Sequence, residues 1–270
     1  MPKKNNNFTR EHLLFLRKQR VRGVLIHAAQ VGILVLFLCL WELAAALNWI
    51  DPFIMSSPSR VWKTLLELSA GGTLWYHAWV STYETLAGFA IGTAIGYVIA
   101  VALWWNEALQ RIFEPYLVIL NSLPKIALGP IIIIWAGTGK ASIITMAVLI
   151  SVVITTITIL NGFVSTDADK LLLMRSMKAN RLQIFCKLVA PANVPTLMAC
   201  LKINVGMSWI GAIMGEYLTS KEGLGYLLVY GSQVFRLDVV MTCTIVLCAL
   251  AGLMYGAVAL LERIVNKAYK

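Results

Sequence analysis

The chain has 270 residues, of which 59% are hydrophobic and 13% are charged, and its mean hydropathy is +0.76. Soluble domains average roughly 45–50% apolar and about 25% charged residues, so this composition excludes an ordinary soluble enzyme. The 23 basic and 13 acidic side chains give a net charge of +10, and in a membrane protein such an excess reports orientation. The five cysteines show neither CxxC nor histidine-rich spacing, which argues against a disulfide framework or a metal site.

Six apolar runs are long enough to cross a bilayer, which needs about 20 apolar residues per helix. They predict an all-α, polytopic membrane protein, with a transmembrane domain over 24–270 after a basic leader over 1–23. The first run is longer than the apolar core of a cleaved signal peptide, so we expect it to remain as a helix. The predicted spans are 24–47, 77–104, 112–136, 141–163, 193–215 and 238–262.

The third of these runs is interrupted. Pro124, Lys125 and the pair Gly129-Pro130 fall inside it, and a strongly apolar stretch resumes at Ile131. Lipid cannot satisfy the backbone groups that a helix break frees, so broken helices in membranes usually face protein or a water-filled cavity. We therefore expect the third crossing to be broken and to face the protein interior.

Lysine and arginine lie mostly on one side of the predicted spans. With the N-terminus inside, the leader, the connection over 164–192 and the C-terminal tail hold most of them, and cytoplasmic loops collect basic residues. The sequence therefore predicts that both termini are cytoplasmic. Because the basic residues are dispersed along one membrane face, we expect no nucleic-acid partner.

The connection over 164–192 is amphipathic. Its apolar and charged residues alternate with helical periodicity, which predicts a helical hairpin with a turn near Ala179-Asn180 and a stop at Pro191. Such a hairpin either lies on lipid headgroups or docks into the groove of a cytoplasmic partner, and the chemistry alone leaves both alternatives open. The candidate contact residues are Leu171, Leu172, Met174, Arg175, Lys178, Ala179, Asn180, Arg181, Ile184, Phe185 and Pro191.

Several blocks of sequence, in a characteristic order and spacing, carry a family resemblance. Together with the segment from Asn180 to Pro195, they resemble ABC importer permeases of the nitrate, sulfonate and taurine class, in which that segment forms the cytoplasmic EAA loop. The resemblance covers most of the chain after the leader. The blocks are Leu40-Trp41-Glu42, Ser57-Pro58-Ser59-Arg60-Val61, Gly88-Phe89-Ala90-Ile91-Gly92, Glu114-Pro115-Tyr116, Leu123-Pro124-Lys125-Ile126-Ala127, Trp135-Ala136-Gly137-Thr138-Gly139, Gly215-Glu216-Tyr217 and Gly223-Leu224-Gly225-Tyr226-Leu227.

This resemblance implies the six-helix fold of a type I ABC importer permease in the bacterial cytoplasmic (inner) membrane. It implies a transport subunit that is not an enzyme and binds no cofactor, with ATP and Mg held by a partner ATPase. The implied partners are two ATPase subunits, a second permease copy forming a homodimer, an extracytoplasmic solute-binding protein and the lipid bilayer.

The same resemblance implies a class of solute. The expected solute is a small anion such as a sulfonate, taurine or nitrate. The first alternative is a heterocyclic vitamin precursor of the thiamine pyrimidine or riboflavin type. A less favoured alternative concerns the mechanism rather than the solute: the chain could be an ion-coupled secondary transporter. Neither the inverted repeats nor the intramembrane acidic cluster of such transporters is evident.

The loop departs from the pattern of that class at two places. By register, the Glu-Ala-Ala of the class falls on Leu172-Leu173-Met174, and its glycine falls on Lys178. Glycine allows a tight backbone bend, so with lysine in its place we expect the turn to shift toward Ala179-Asn180. A phosphate-loop-like segment over 137–142 lacks the first glycine and the Ser or Thr of the P-loop motif, which argues against nucleotide binding by this chain.

Two features inside the spans suggest packing and transport roles. Gly88, Gly92 and Gly96 form a GxxxGxxxG face, which predicts close packing of helices. Charged groups inside a membrane are costly and are usually paired or water-facing, so Glu84 and Lys125 are candidates to line the translocation pathway. There Lys125 would help to neutralise an anionic solute. The alternative is a Lys125–Glu pair, or a lysine side chain that snorkels to the interface.

Trp135 and Glu216 complete the candidate pathway residues. Trp135 lies beside a glycine-rich turn and either gates the outer pore or belongs to an aromatic belt. Glu216 precedes Gly223-Leu224-Gly225, which suggests a re-entrant turn near the pore mouth. No nucleophile–base grouping that would indicate catalysis is evident, because the histidines are isolated in the sequence: they are His12, His27 and His77.

Overall fold

The computed structural model describes residues 10–268 of the chain, and within that range the secondary structure is helical. Long helices alternate with short connecting ones. The α-helices are α1 (Arg10–Ala46), α2 (Pro52–Met55), α3 (Pro58–Ala70), α4 (Thr73–Trp105), α5 (Glu107–Ser122), α6 (Gly129–Ala136), α7 (Lys140–Val164), α8 (Ala168–Ser176), α9 (Arg181–Ile184), α10 (Ala190–Ala192), α11 (Val194–Thr219), α12 (Leu224–Gln233) and α13 (Leu237–Ala268).

The helices account for the predicted spans. In the described range, five helices are long and apolar enough to cross a membrane, namely Val21–Ala46, Thr73–Trp105, Lys140–Val164, Val194–Thr219 and Leu237–Lys267. The predicted third span corresponds to a broken pair, Glu107–Ser122 and Lys125–Ala136, whose two parts meet at 88°. The break falls at Leu123-Pro124 because proline disfavours the helical conformation in the residue before it. Counting the pair as one crossing gives six.

The chain divides into two compact units, Met1–Lys63 and Thr64–Lys270. In the first unit, α1 begins at Arg10, so one continuous helix includes both residues 10–23 of the predicted leader and the first span. Lys3, Lys4 and Lys270, which contribute to the predicted charge asymmetry, lie outside the described residues. The carboxylate of Glu42 accepts hydrogen bonds from Ser59, at 2.9 Å from the backbone N–H and 2.8 Å from the hydroxyl, and so ties α1 to the start of α3.

In the second unit, α7 packs closely against α4. The predicted glycine face of α4 lies on small residues of α7: Gly88 faces Ala147, Gly92 faces Ser151 and Gly96 faces Thr155. A Cβ atom added at Gly92 would lie 2.6 Å from the Cβ of Ser151, and one added at Gly96 would lie 2.6 Å from that of Thr155. The paired residue numbers rise together, so α4 and α7 run parallel.

Helix α11 covers another face of α7. Gly211 lies against Ala147 and Gly215 against Ile143, so the paired numbers run in opposite directions and α11 is antiparallel to α7. Buried hydroxyl and amide groups join the three helices: the Ser151 and Ser208 hydroxyls are 2.9 Å apart, and the Asn204 amide donates to Thr93 at 3.1 Å. Close backbone contact and interhelical hydrogen bonds are what hold helices together in lipid.

The last helix is joined to α11 by charge as well as by packing. The Lys202 ammonium donates to the Glu262 carboxylate at 2.7 Å, and about a quarter of each side chain is exposed. Lys202 lies within a predicted span, and a partner of opposite sign is the usual arrangement for such a residue.

The packing of α4 on α7 predicts different outcomes for glycine substitutions that are chemically identical. Gly92→Ala should destabilise the protein by about 1–3 kcal/mol, because the new methyl group enters a contact that is already full. The control is Gly252→Ala in α13, where nothing lies within 4 Å of the added Cβ; it should be neutral or stabilising by up to about 1 kcal/mol. Thermal unfolding in detergent measures both, and equal unfolding temperatures would contradict the packing role.

Candidate functional site

The 164–192 hairpin begins with a capped helix. Asp167 precedes α8, and its carboxylate accepts hydrogen bonds from the backbone N–H groups of Asp169 at 3.0 Å and Lys170 at 3.4 Å. These bonds stabilise the charged form and hold the pKa of Asp167 below its usual value. The cap satisfies N–H groups that have no partner inside the helix, so the start of α8 is well defined.

The end of α8 is a Schellman motif centred on Lys178. The N–H of Lys178 donates to the Arg175 carbonyl at 2.9 Å, and the N–H of Ala179 donates to the Met174 carbonyl at 3.1 Å. This is the hydrogen-bond pair of that motif, in which the residue at the position of Lys178 is left-handed and usually glycine. Lys178 has φ 56°. The prediction that lysine shifts the turn toward Ala179-Asn180 is therefore wrong, because Lys178 itself adopts the bend.

The second half of the hairpin starts with a capping box. The Asn180 side chain accepts from the Gln183 N–H at 2.8 Å, and the Gln183 side chain accepts from the Asn180 N–H at 2.9 Å. Helix α9 continues into a π-helical turn over Phe185–Val189. Pro191 was predicted to end the helix but lies in the first turn of α10, a position that proline tolerates, and the break falls at Asn193.

This second half is anchored to the ends of α4 and α7. The Arg181 guanidinium donates to the carbonyl of Trp105 at 2.6 Å, and a cation at a helix C-terminus is favoured by the helix dipole. The Phe185 ring lies 5.2 Å from the ring of Trp104 and 5.5 Å from the ring of Phe163, measured between centroids. These contacts join the second half of the hairpin to the ends of α4 and α7.

The candidate contact residues of the hairpin divide between two faces. Five of them pack against this chain's own core, where Ile184 is buried and the other four are half-buried: Leu171, Met174, Ala179, Ile184 and Phe185. Arg175, Lys178, Asn180 and Arg181 are exposed, and Pro191 is half-buried. The exposed apolar face consists of Leu172, Leu173, Met177 and Leu182, with exposed fractions of 58–72%. Leu173, Met177 and Leu182 were not among the predicted contact residues, although each lies close to charged positions in the sequence.

A second polar site lies where α11 meets the N-terminus of α12. Glu216 is buried, and its carboxylate accepts from the Gly225 N–H at 2.6 Å. The two preceding N–H groups are accepted by α4: Leu224 donates to the Ser81 hydroxyl at 2.7 Å, and Gly223 donates to the Nδ1 atom of His77 at 2.8 Å. All three groups belong to the first turn of α12, whose dipole favours the carboxylate.

The predicted turn over Gly223-Leu224-Gly225 has a steric basis in the same contacts. Gly223 has φ 96°, a conformation that favours glycine. A Cβ atom added at Gly225 would lie 2.8 Å from Oε2 of Glu216, so a side chain there would displace the carboxylate. His77 is not isolated, as the sequence suggested, because its ring joins α4 to the same turn.

The structure brings some of the predicted pathway residues together and separates others. Glu84 is fully buried and interacts electrostatically with Glu216 and Lys140. Lys125 interacts elsewhere: its ammonium donates to the Asn121 carbonyl, one turn earlier, at 3.1 Å. Trp135 is 82% exposed. Lys140 was not predicted to belong to this group, because only the tertiary structure places the start of α7 beside α4.

Helices of this length and packing, with a broken third crossing and a hairpin anchored at the ends of two of the spans, define a polytopic membrane protein. The chain is similar to the formylaminopyrimidine transport permease protein ThiX of Halalkalibacterium halodurans, with 30% identity over 193 residues, 71% of this chain and 76% of the relative. It is also similar to the taurine transport system permease protein TauC of Escherichia coli, with 24% identity over 86% of each chain.

Residues 92–267 match the model of the family described as binding-protein-dependent transport system inner membrane component. Since that range is more than half of the chain, the protein belongs to this family. Among solved structures, the chain is similar to the MetNI methionine ABC transporter in an inward-facing conformation, with a TM-score of 0.64 and 20% identity over 73% of this chain and 98% of that one. The fold is that of a type I ABC importer permease.

Because Lys178 has a left-handed backbone conformation, we expect its replacement by glycine to stabilise the turn of the hairpin. Lys178→Gly should stabilise the turn by about 1 kcal/mol, since a left-handed L-residue costs about 1–2 kcal/mol. Hydrogen exchange of the Ala179 amide should slow about fivefold. Lys170→Gly, the same chemical change inside α8, should instead destabilise that helix by about 1 kcal/mol. Faster exchange at Ala179 in the Lys178→Gly variant would disprove the motif.

The buried hydrogen bond of Glu216 predicts that two substitutions at this position destabilise the protein to different extents. Glu216→Ala should lower the free energy of unfolding by roughly 1–3 kcal/mol, because the Gly225 N–H loses its acceptor in a buried place. Glu216→Gln retains an acceptor oxygen and should lose less. Glu107→Gln is the control, since that side chain is 76% exposed, and it should change the thermal unfolding temperature little. The assignment fails if the alanine and glutamine variants unfold alike.

Proposed function

We propose that this chain is the transmembrane subunit of an ATP-driven, solute-binding-protein-dependent importer. The observation that carries the proposal is the two-sided 164–192 hairpin. One side is held by Arg181 and Phe185 against the ends of α4 and α7, and the other exposes Leu172, Leu173 and Met177. An apolar helical face of this kind is buried when it lies in the groove of a partner.

In this proposal the partner is an ATPase that binds ATP and Mg, while the chain itself carries out no bond chemistry. Two ATPase subunits, a second copy of this chain and an external solute-binding protein complete the importer. Nucleotide binds more tightly to one conformation and so shifts the equilibrium between inward and outward access. The hairpin transmits that shift to α4 and α7 as rigid-body movement.

The same proposal sets the orientation of the chain. With the hairpin facing the ATPases, α7 ends and α11 begins at the cytoplasmic face, so both termini are cytoplasmic in a bacterial inner membrane. The Glu216 site then lies toward the outer face, at the opposite end of α11. The prevalence of lysine and arginine on the hairpin side supports this arrangement.

For the solute, we propose a small compound with an anionic group, such as a sulfonate, taurine or nitrate. The similarity to a taurine permease supports this class, and the similarity to a formylaminopyrimidine permease favours a heterocyclic vitamin precursor as the second candidate. The two classes share small size but differ in their charged groups.

The ATPase contact can be tested through the exposed leucines. The double variant Leu172→Ala, Leu173→Ala should weaken binding of a co-expressed ATPase subunit at least tenfold, since truncation of central apolar contacts typically costs more than about 1 kcal/mol each. Co-purification with the ATPase and ATP-dependent uptake into proteoliposomes should both fall. Neither leucine packs in the core, so the unfolding temperature should stay unchanged.

Leu253→Ala supplies the matched control. Leu253 is 71% exposed on α13, within a candidate membrane span, so its truncation should leave ATPase binding and uptake intact. If the hairpin variant kept both activities, the exposed leucines would lie on lipid headgroups and the proposal would be wrong.

A further inference from the structure

His77 joins the N-terminus of α12 to α4 through one nitrogen of its ring. The Gly223 N–H donates to Nδ1 of His77 at 2.8 Å, and both residues are buried. A backbone N–H can only donate, so Nδ1 must accept through its lone pair and the proton of the neutral ring lies on Nε2. This hydrogen bond therefore exists only while the imidazole is neutral.

The end of α4 that carries His77 extends beyond the apolar core of a bilayer. Helix α4 has 33 residues, which gives a length of about 50 Å, whereas the hydrocarbon core is about 30 Å thick. His77 lies in the first turns of this helix and is 9% exposed. In the proposed orientation of the chain, this end of α4 faces the outer aqueous phase, which supplies protons.

The charged and titratable groups around His77 belong to several elements. The Glu222 carboxylate interacts electrostatically with the ring and, being negative, favours its protonation. Glu222 is 41% exposed and lies 3.8 Å from the Lys140 ammonium, so solvent and an opposite charge weaken its effect. The rings of Tyr76 and Tyr226 flank the imidazole, with centroids 5.4 and 5.9 Å away. The hydrogen bond to Nδ1 opposes protonation.

The other two acceptors at this turn respond differently to protons. Glu216 accepts from the Gly225 N–H at 2.6 Å and interacts with the Glu84 carboxyl beside it. A carboxyl group that gains a proton keeps an oxygen that can accept. The Leu224 N–H donates to the Ser81 hydroxyl at 2.7 Å, and a hydroxyl keeps its lone pairs at any physiological pH. Of the three acceptors, the imidazole alone stops accepting when it gains a proton.

We propose that His77 is a pH switch: its neutral ring holds the N-terminus of α12 on α4, and protonation of the ring releases it. The protonated ring directs an N–H at the Gly223 N–H, so a buried hydrogen bond is lost and two donors face each other. Protons therefore bind preferentially to the released form. A released histidine titrates near pH ~6.5, so the held form is favoured above that pH and is lost as the pH falls below it.

The switch acts at the outer ends of α4 and α11, and acidification of the outer phase loosens the turn between α11 and α12. Only the assignment of this end to the outer phase rests on the proposed importer function. The hydrogen bond and its loss on protonation are properties of the chain itself, so the experiment needs neither an ATPase nor a solute.

Hydrogen exchange of the Gly223 amide measures the switch. The full chain is purified in detergent, and the exchange rate of this amide is divided by its intrinsic rate at the same pH to give a protection factor. Protection should fall at least tenfold between about pH 7.5 and about pH 5.5, because one linked proton changes the equilibrium by up to about tenfold per pH unit. Amides in the middle of α13 should keep constant protection, which distinguishes local release from global unfolding.

Three variants separate the acceptor from the titration. His77→Asn places an amide oxygen near the position of Nδ1 and does not titrate, so Gly223 should stay protected at both pH values. His77→Phe keeps a ring but has no acceptor, so Gly223 should be at least tenfold less protected than in the wild-type chain at about pH 7.5. His27→Asn removes a histidine from α1 and should keep the wild-type profile.

Protection that does not change with pH in the wild-type chain would overturn the proposal. A loss at low pH that persists in His77→Asn would also overturn it, because another group would then control the turn. Full protection of Gly223 in His77→Phe would show that the ring nitrogen is not needed. If the phenylalanine variant does not fold, the wild-type and asparagine profiles still decide the question.

Discussion

The close approach of α4 and α11 to α7 positions both candidate functional regions of the second unit. Lipid tails are as apolar as leucine, so burying hydrocarbon contributes little to helix association in a membrane, and short contacts and interhelical hydrogen bonds provide the stability instead. The glycines of α4 and α11 allow those contacts at Ala147 and Ser151. Contact among the three helices fixes the positions of their ends. The 164–192 hairpin lies at one end of this group of helices, and the Glu216 site lies at the other.

The two ends differ chemically: the hairpin exposes apolar side chains, whereas the Glu216 site buries polar groups. At the hairpin, the Asp167 side chain caps α8, whose Leu172 and Leu173 are exposed, and an aromatic cluster around Phe185 anchors the second half. At the Glu216 site, the N–H groups of Gly223, Leu224 and Gly225 are accepted by side chains of α4 and α11, and the buried Glu84 interacts with Glu216 beside them. Helix α11 begins next to the hairpin and carries Glu216 near its other end, so one continuous helix joins the two regions.

Several local features could be predicted, and particular residues show why others could not. Hydropathy predicted the spans, and Pro124 predicted the break. The amphipathic pattern of the hairpin was evident, but Leu171 and Leu172 are adjacent and face opposite ways, and only packing reveals which face is inside. The turn was predicted to shift away from Lys178, which was wrong. The hydrogen bonds of the Schellman motif outweigh the free-energy cost of a left-handed backbone conformation at a lysine.

Apolar length and charge distribution determined by themselves that the chain crosses a membrane as helices, since those requirements come from the bilayer and act on each segment separately. The tertiary structure alone decided which polar groups meet. The ring of His77 and the N–H of Gly223 are 146 positions apart, and the Glu84 carboxylate interacts with Lys140 across helices. Such partners depend on how close two helix backbones come, and that distance is set by contacts along their whole length rather than by either segment.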